Sequence, residues 1–277
     1  MYKHIYSPTL LISKMTNSMK TEQGMLRFVI NLDHSVQRWE SIKNKLDKFN
    51  IHYERVSAVD GRKLDINKLG VIAKVNNLLC QREITPGEIG CFLSHRMCWE
   101  KLSASNYDFA LIMEDDILFS DRAGKYISNT TWIPQGIDLI QLSTLFSKPY
   151  SAKVGNIHTL NASEQLIHPL SPVPWGTQAY LISRKAAQEA VRMSEKICAP
   201  VDDFLFNPLS LYALKFPVFR LNPAIITHDD LNIYKSTLSL SPSQKFKTKN
   251  NLITLALKCM FAIYLKIYAK NKTLYFL

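Results

Sequence analysis

Residues 109–116 read Phe-Ala-Leu-Ile-Met-Glu-Asp-Asp, and this stretch limits the fold more than any other in the chain. The apolar run Phe109 to Met113 has the continuous character of a β-strand covered on both faces. Three carboxylates, Glu114, Asp115 and Asp116, stand at its C-terminal end. Adjacent carboxylates repel, and an apolar strand beside them adds a desolvation cost, so a bound cation is one way to make the arrangement stable. In an extended chain Glu114 and Asp116 share a side and Asp115 takes the other, so the outer pair is placed to share one divalent ion. Oxygen ligands of this kind suit a hard ion such as Mn2+ or Mg2+, which usually keeps positions open for substrate phosphates. A solvated acidic turn is the alternative reading of the same residues.

The 277 residues are enough for one full α/β core. A net charge of +11 is out of the ordinary and points to an anionic partner, which can be nucleotide phosphate, acidic lipid or nucleic acid. The five cysteines are odd in number and form no Cys-x-x-Cys pair, which fits a reducing compartment. There is no His-x-x-x-His or comparable cluster, so a zinc site is not expected. No segment reaches the roughly 18 uncharged apolar residues of a membrane span, and the N-terminus lacks a signal-peptide core. A cytoplasmic protein is therefore expected.

Residues 1–24 are weakly patterned and read as an N-terminal extension, followed by a main domain over 25–244. Phe28 to Leu32 reads as a strand, with Asp33, His34 and Ser35 as turn and cap. Val36, Trp39, Ile42, Leu46 and Phe49 recur at helical spacing, and a second strand runs roughly from Ile51 to Val59 before Asp60-Gly61. Such β-α-β units build parallel sheets whose ligands sit beyond the strand C-termini, where Asn31, Asp33 and Asp60 fall. A Gly-x-Gly-x-x-Gly fingerprint is absent.

Thr85-Pro86-Gly87-Glu88 is a capping box with proline at the first helical position, opening a helix that carries Ser94, His95 and Arg96. Glu88 thus has a structural job, and a lone helical histidine is more often packed than catalytic. Ile137 to Leu142 and Trp175 to Ile182 read as strands, Ser183 as the cap of the next helix, and 143–174 as a loop-rich stretch able to cover a site. Asp202 and Asp203 precede an apolar segment, where one of them can cap a helix. Pro217 to Thr227 reads as strand with turns and ends at His228-Asp229-Asp230. Residues 245–277 are basic and amphipathic, with Lys245, Lys247, Lys249, Lys258, Lys266, Lys270 and Lys272 and no acidic residue. Such a tail either lies on an anionic membrane surface, at the inner face of the cytoplasmic membrane, or packs on the domain as a helix with a basic outer face.

Five pieces in order resemble glycosyltransferase family 25, the bacterial lipooligosaccharide glycosyltransferases related to collagen galactosyltransferases. They are Phe28-Val29-Ile30-Asn31-Leu32-Asp33 with Arg38, Ala58 to Gly61, Thr85 to His95, Ala110 to Asp116, and Gly176 to Tyr180. The resemblance implies a GT-A-type α/β fold with a mostly parallel central sheet flanked by helices. It also implies metal-dependent, inverting transfer of a hexose, often galactose from UDP-galactose, onto a lipooligosaccharide acceptor. Glu114-Asp115-Asp116 is then the family's Asp-x-Asp motif, with Glu114, Asp116 and His228 as ligands of Mn2+ or Mg2+. Asn31, Asp33, Arg38, Asp60, Gly61, Ser94, His95 and Asp115 are assigned to the nucleotide-sugar pocket, and Asp203, or else Asp202, to the base that takes the acceptor proton. Two other classes compete: a metal-dependent phosphohydrolase using the same carboxylates, and a basic nucleic-acid-binding protein. The second is disfavoured because the basic excess lies mainly in the tail and no nucleic-acid motif occurs.

Overall fold

A computed structural model describes residues 24–65, 84–145, 149–170, 176–229, 266 and 269–276. In chain order the first half comprises β1 (Leu26–Asn31), α1 (Val36–Leu46), β2 (Glu54–Ser57), α2 (Pro86–Ser103), β3 (Phe109–Glu114), β4 (Ile117–Phe119), α3 (Ala123–Ile127), β5 (Leu139–Gln141) and β6 (Ser143–Thr144). It continues with β7 (Tyr150–Thr159), β8 (Gln165–Pro169), β9 (Ala179–Ser183), α4 (Arg184–Met193), α5 (Val201–Phe206), α6 (Leu211–Lys215), β10 (Phe219–Asn222), β11 (Ile226–His228) and β12 (Lys270–Leu274).

The large sheet has nine strands in the order β12-β7-β8-β10-β5-β9-β3-β1-β2, and a small one has the order β4-β11-β6. The β1-α1-β2 unit is parallel, and β3 joins the other side of β1 in the same direction. β9 runs against both β3 and β5, while β10 is parallel to β5. The expected α/β class, a central sheet flanked by helices, is what the chain adopts. In the six strands from β2 to β10 only β9 is reversed, and the antiparallel β8, β7 and β12 extend that core at one edge.

The reason β3 reads as unbroken apolar sequence is visible in its packing. Ala110 and Ile112 face the cluster built with Phe28, Phe92, Trp99 and Tyr180, whereas Leu111 and Met113 face the cluster built with Val29, Ile42, Leu46 and Tyr126. Helices α2, α4, α5 and α6 supply the first layer; α1, α3 and the small sheet supply the second. Ala110 to Met113 are fully buried, and each of the three larger side chains contributes about 1.5–3 kcal/mol by leaving water. β3 is therefore a fixed rail, and what stands at its end is held in place.

The starts of α2 and α4 follow their sequence signals, while α5 begins after Pro200 with no side-chain cap from Asp202 or Asp203. Thr85 Oγ1 accepts from Glu88 N (3.2 Å) and Glu88 Oε2 accepts from Thr85 N (2.8 Å), completing the capping box. Ser183 caps α4 through Ala186 N, whereas Ser35 holds the N-cap position of α1 without a side-chain cap bond.

Two expectations need correction. The stretch 143–174 holds the β7–β8 hairpin rather than only loops, because Ala152, Val154 and Ile167 bury together while the rest of β7 stays polar. The basic tail also ends as sheet: Lys270 to Leu274 pair antiparallel with Tyr150 to Val154, and Leu274 is buried. Residues 1–23 and most of the tail lie outside the described residues.

Candidate active site

The parallel strands β2, β1 and β3 end side by side, and the loops leaving them meet the N-terminal half of α2. Arg38, Asp60, Gly61, Arg62, Cys91, Ser94, His95, Glu114, Asp115 and Asp116 line one open pocket there. Eight residues that the sequence assigned to a site are thus in one place. Asn31 stands behind them, while Asp33 points outward with 70% of its side chain exposed and pairs with Arg55 at 3.2 Å.

The acidic triplet does not keep the alternation of an extended chain. The chain bends after Glu114, so Asp115 and Asp116 both meet the Arg38 guanidinium, the first at 2.6 Å. Asp115 also accepts from Asn31 Nδ2 (2.6 Å), and Asn31 Oδ1 in turn accepts from Arg55 Nε (3.0 Å) and Nη2 (2.6 Å). Burial raises the Asp115 pKa to about 6, with Arg38 and Asn31 opposing it. Burial also works to raise Asp116, but the bond from His228 (Nε2 to Oδ2, 3.3 Å) and the Arg38 charge outweigh it and hold that carboxylate below its ordinary range.

Glu114 turns away to a third set of partners. Its Oε1 accepts from Thr177 Oγ1 at 2.6 Å and lies 3.6 Å from His95 Nε2. His95 is fully buried, with Nδ1 2.9 Å from the Tyr180 hydroxyl, which also accepts from Trp99 Nε1 at 2.9 Å. Beyond Asp116, the Asp229 backbone N–H donates to the Asp116 carbonyl (2.8 Å), and Lys45 Nζ reaches Asp229 at 2.6 Å. Lys45 and Arg55 are not singled out by the sequence, and Thr177 and Tyr180 enter only within the Gly176–Tyr180 piece without a site role, since the roles of all four come from long-range contacts.

A divalent ion suits part of this geometry. Asp116 Oδ1 is buried and makes no hydrogen bond among the described residues, a carboxylate oxygen suits Mn2+ or Mg2+, and the His228 imidazole beside the same carboxylate tilts the choice away from Mg2+ toward Mn2+. The pairing of Glu114 with Asp116 that alternation suggested is replaced by Asp116 with His228 as the adjacent pair.

Two other candidates turn out to build the pocket wall. Ser94 Oγ accepts from Val59 N (2.9 Å) and donates to the Gly90 carbonyl (2.7 Å), which ties the loop after β2 to α2. A Cβ on Gly61 would stand 1.8 Å from the Pro86 carbonyl oxygen, and one on Gly90 would stand 2.5 Å from that of Val59. Gly61→Ala is therefore expected to cost about 2–3 kcal/mol of unfolding free energy, read as a lower urea midpoint at unchanged slope. An unchanged midpoint would show that the loop yields freely. Asp60, hydrogen-bonded by Arg62 at 2.8–3.1 Å, is held well below the ordinary carboxylate range.

Asp202 and Asp203 open α5, which packs on α2 through Phe204 against Phe92 (5.3 Å between ring centres). Neither lines the pocket. Burial, then the charge of Asp203, raises the Asp202 pKa to about 6, and Asp202 acts electrostatically on the pocket residue Cys91. Asp203 Oδ1 lies 3.4 Å from Asn207 Nδ2, on the helix's own next turn.

Comparison with known proteins matches residues 25–205 to glycosyltransferase family 25 (LPS biosynthesis protein). The lipooligosaccharide biosynthesis protein lex-1 of Haemophilus influenzae is 30% identical over 65% of this chain and 61% of its own length. The lipooligosaccharide biosynthesis protein lic2B of the same species is 26% identical over 88% of this chain and 95% of its own. Procollagen galactosyltransferase 1-A of Xenopus laevis is 28% identical over 73% of this chain and 36% of its own. A match covering this share of the chain, including every pocket residue named above, settles the family: the chain belongs to glycosyltransferase family 25.

Proposed function

We propose that this enzyme is an inverting, metal-dependent hexosyltransferase of the GT-A type that moves galactose from UDP-galactose onto a lipooligosaccharide acceptor. The observation that carries the reading is the buried Asp116 Oδ1, without a hydrogen-bond partner among the described residues, beside His228 and in the lining of a pocket that also offers Arg38 and Arg62. The lipooligosaccharide relatives support the acceptor class, and the procollagen galactosyltransferase supports the sugar.

A divalent ion, when bound, supplies positive charge for the diphosphate leaving group. Asp116 and His228 are the residues to hold it, Glu114 being turned toward Thr177 and His95 instead. Arg38 and Asn31 fix the orientation of Asp115 and Asp116, so little reorganisation is needed when charge develops on the leaving group. The base that takes the acceptor hydroxyl's proton is better given to Asp202 than to Asp203. A pKa near 6 leaves Asp202 ionised at neutral pH yet able to receive a proton, and its field reaches the pocket.

Incubation of the purified chain with Mn2+ and UDP-hexoses, with and without a saccharide acceptor, tests the reading. UDP release that depends on acceptor is the expected result. Release of equal size without acceptor would indicate hydrolysis, and no turnover with any UDP-hexose would sink the proposal.

The tail is assigned to an anionic membrane surface on its lysines and lack of acids. Among the described residues no helix is long and apolar enough to cross a membrane. Because β12 belongs to the sheet, truncation is a poor test, and charge removal upstream is better. Lys245→Gln with Lys247→Gln is expected to weaken sedimentation with phosphatidylserine vesicles roughly 30-fold, at about 1 kcal/mol per lysine. Equal binding by the double variant would leave the tail a structural element only.

A further inference from the structure

Cys91 and His95 are one turn apart on α2 and so share a face, and β3 delivers Glu114 against that face. One ligand atom from each of the three lies within 4.8 Å of the others, and His95 Nε2 with Glu114 Oε1 is already at 3.6 Å. Donor atoms around a tetrahedral zinc ion are roughly 3.3–3.8 Å apart, given metal–ligand bonds of about 2.0–2.3 Å, so small side-chain rotations close the set. We propose that Cys91, His95 and Glu114 form a Zn2+ site, distinct from the pair Asp116 and His228, with its fourth position open to the pocket.

The second observation is His95 Nε2 itself, which is fully buried, faces this cluster and makes no hydrogen bond among the described residues. Its other nitrogen is oriented by Tyr180, and Tyr180 by Trp99; Glu114 is oriented by Thr177. A metal-bound imidazole needs such a partner on its far nitrogen, and a ligating carboxylate needs such a donor. Thiolate, imidazole and carboxylate together favour zinc, whereas the Asp116 neighbourhood offers no thiolate and suits a harder ion. Burial first, then the negative charges of Glu114, Asp202 and Asp116, raise the Cys91 thiol, a field that a cation relieves.

On binding, the Cys91 S–H bond breaks and its proton goes to solvent, while bonds form from Cys91 Sγ, His95 Nε2 and Glu114 Oε1 to the ion. The imidazole stays neutral, carrying its proton on Nδ1 toward the Tyr180 oxygen. One proton leaves per ion, so binding tightens as pH rises. Zinc held here occupies the donor pocket and inhibits transfer. That consequence rests on the proposed function, whereas the site does not.

Cobalt(II) titration of the full chain tests the site by spectroscopy, independently of turnover. One Co2+ per chain should produce a thiolate-to-cobalt charge-transfer band that Zn2+ removes. Cys91→Ser should abolish the band, Glu114→Gln should weaken binding at least tenfold, and Cys198→Ser should change neither. Absence of the band at stoichiometric Co2+, or its persistence in Cys91→Ser, would overturn the proposal, and a Glu114→Gln variant binding as tightly as the parent would remove the carboxylate from it.

Discussion

Asp116→Ala is expected to lower acceptor-dependent transfer by roughly 10³-fold at saturating Mn2+, because the loss of one charge-stabilising group at a developing anion carries that order of penalty. The carboxylate accepts from His228 and meets Arg38, and its Oδ1 has no other partner among the described residues. Removing it therefore takes away both the carboxylate beside His228 and the adjacent oxygen donor in one step. The fold should persist, since Arg38 keeps its 2.6 Å pairing with Asp115 and the Asp229-to-Asp116 bond is made by the backbone. Transfer assays beside thermal melting check both halves. Wild-type rates in a folded Asp116→Ala enzyme would remove Asp116 from the mechanism.

Asp202→Asn is expected to slow transfer roughly 100-fold while leaving UDP affinity near normal, as loss of a general base does. Its stability should move the opposite way. With a folded pKa raised to about 6 from an ordinary 3.8, the native state binds more protons than the unfolded chain between those values. Asp202 therefore costs nothing below pH 4, and its penalty grows as pH rises and is complete above pH 6. The Asn variant keeps an oxygen for the Asp203 N–H and escapes the penalty, so it should gain about 2 kcal/mol at pH 8 and little at pH 4. Asp203→Asn should leave transfer near the parent rate and recover only the smaller part of the penalty that its own charge imposes on Asp202. If Asp203→Asn, and not Asp202→Asn, slows transfer, the base is Asp203.

How much of this was legible beforehand differs by element. β3 was readable because both its faces are covered, and α2 because its capping box is a local device satisfied within four residues. The β7–β8 ribbon was not, since an edge hairpin buries only Ala152 and Val154 of β7 and its remaining side chains resemble loop sequence. The direction of β9 is equally silent in sequence, as parallel and antiparallel strands share one side-chain period. Within the site, the carboxylates stood out by being adjacent. Their partners did not: Thr177 reaches Glu114 and Lys45 reaches Asp229 across 63 and 184 residues. The bend that turns Asp115 and Asp116 onto one guanidinium is likewise a product of where α1 lands. Cys91 and His95 carried no metal signal in the sequence, where no zinc site is expected, because the third donor beside them arrives from β3.

The pocket at the ends of β1, β2 and β3 is proposed to hold a nucleoside diphosphate through Asp116 and a hard divalent ion. Calorimetric titration of UDP into the full chain, with and without Mn2+, and into Asp116→Ala, tests it directly. Mn2+-dependent UDP binding by the wild type, lost in Asp116→Ala, is the expected result. UDP binding of equal strength without metal, or by the variant, would contradict it.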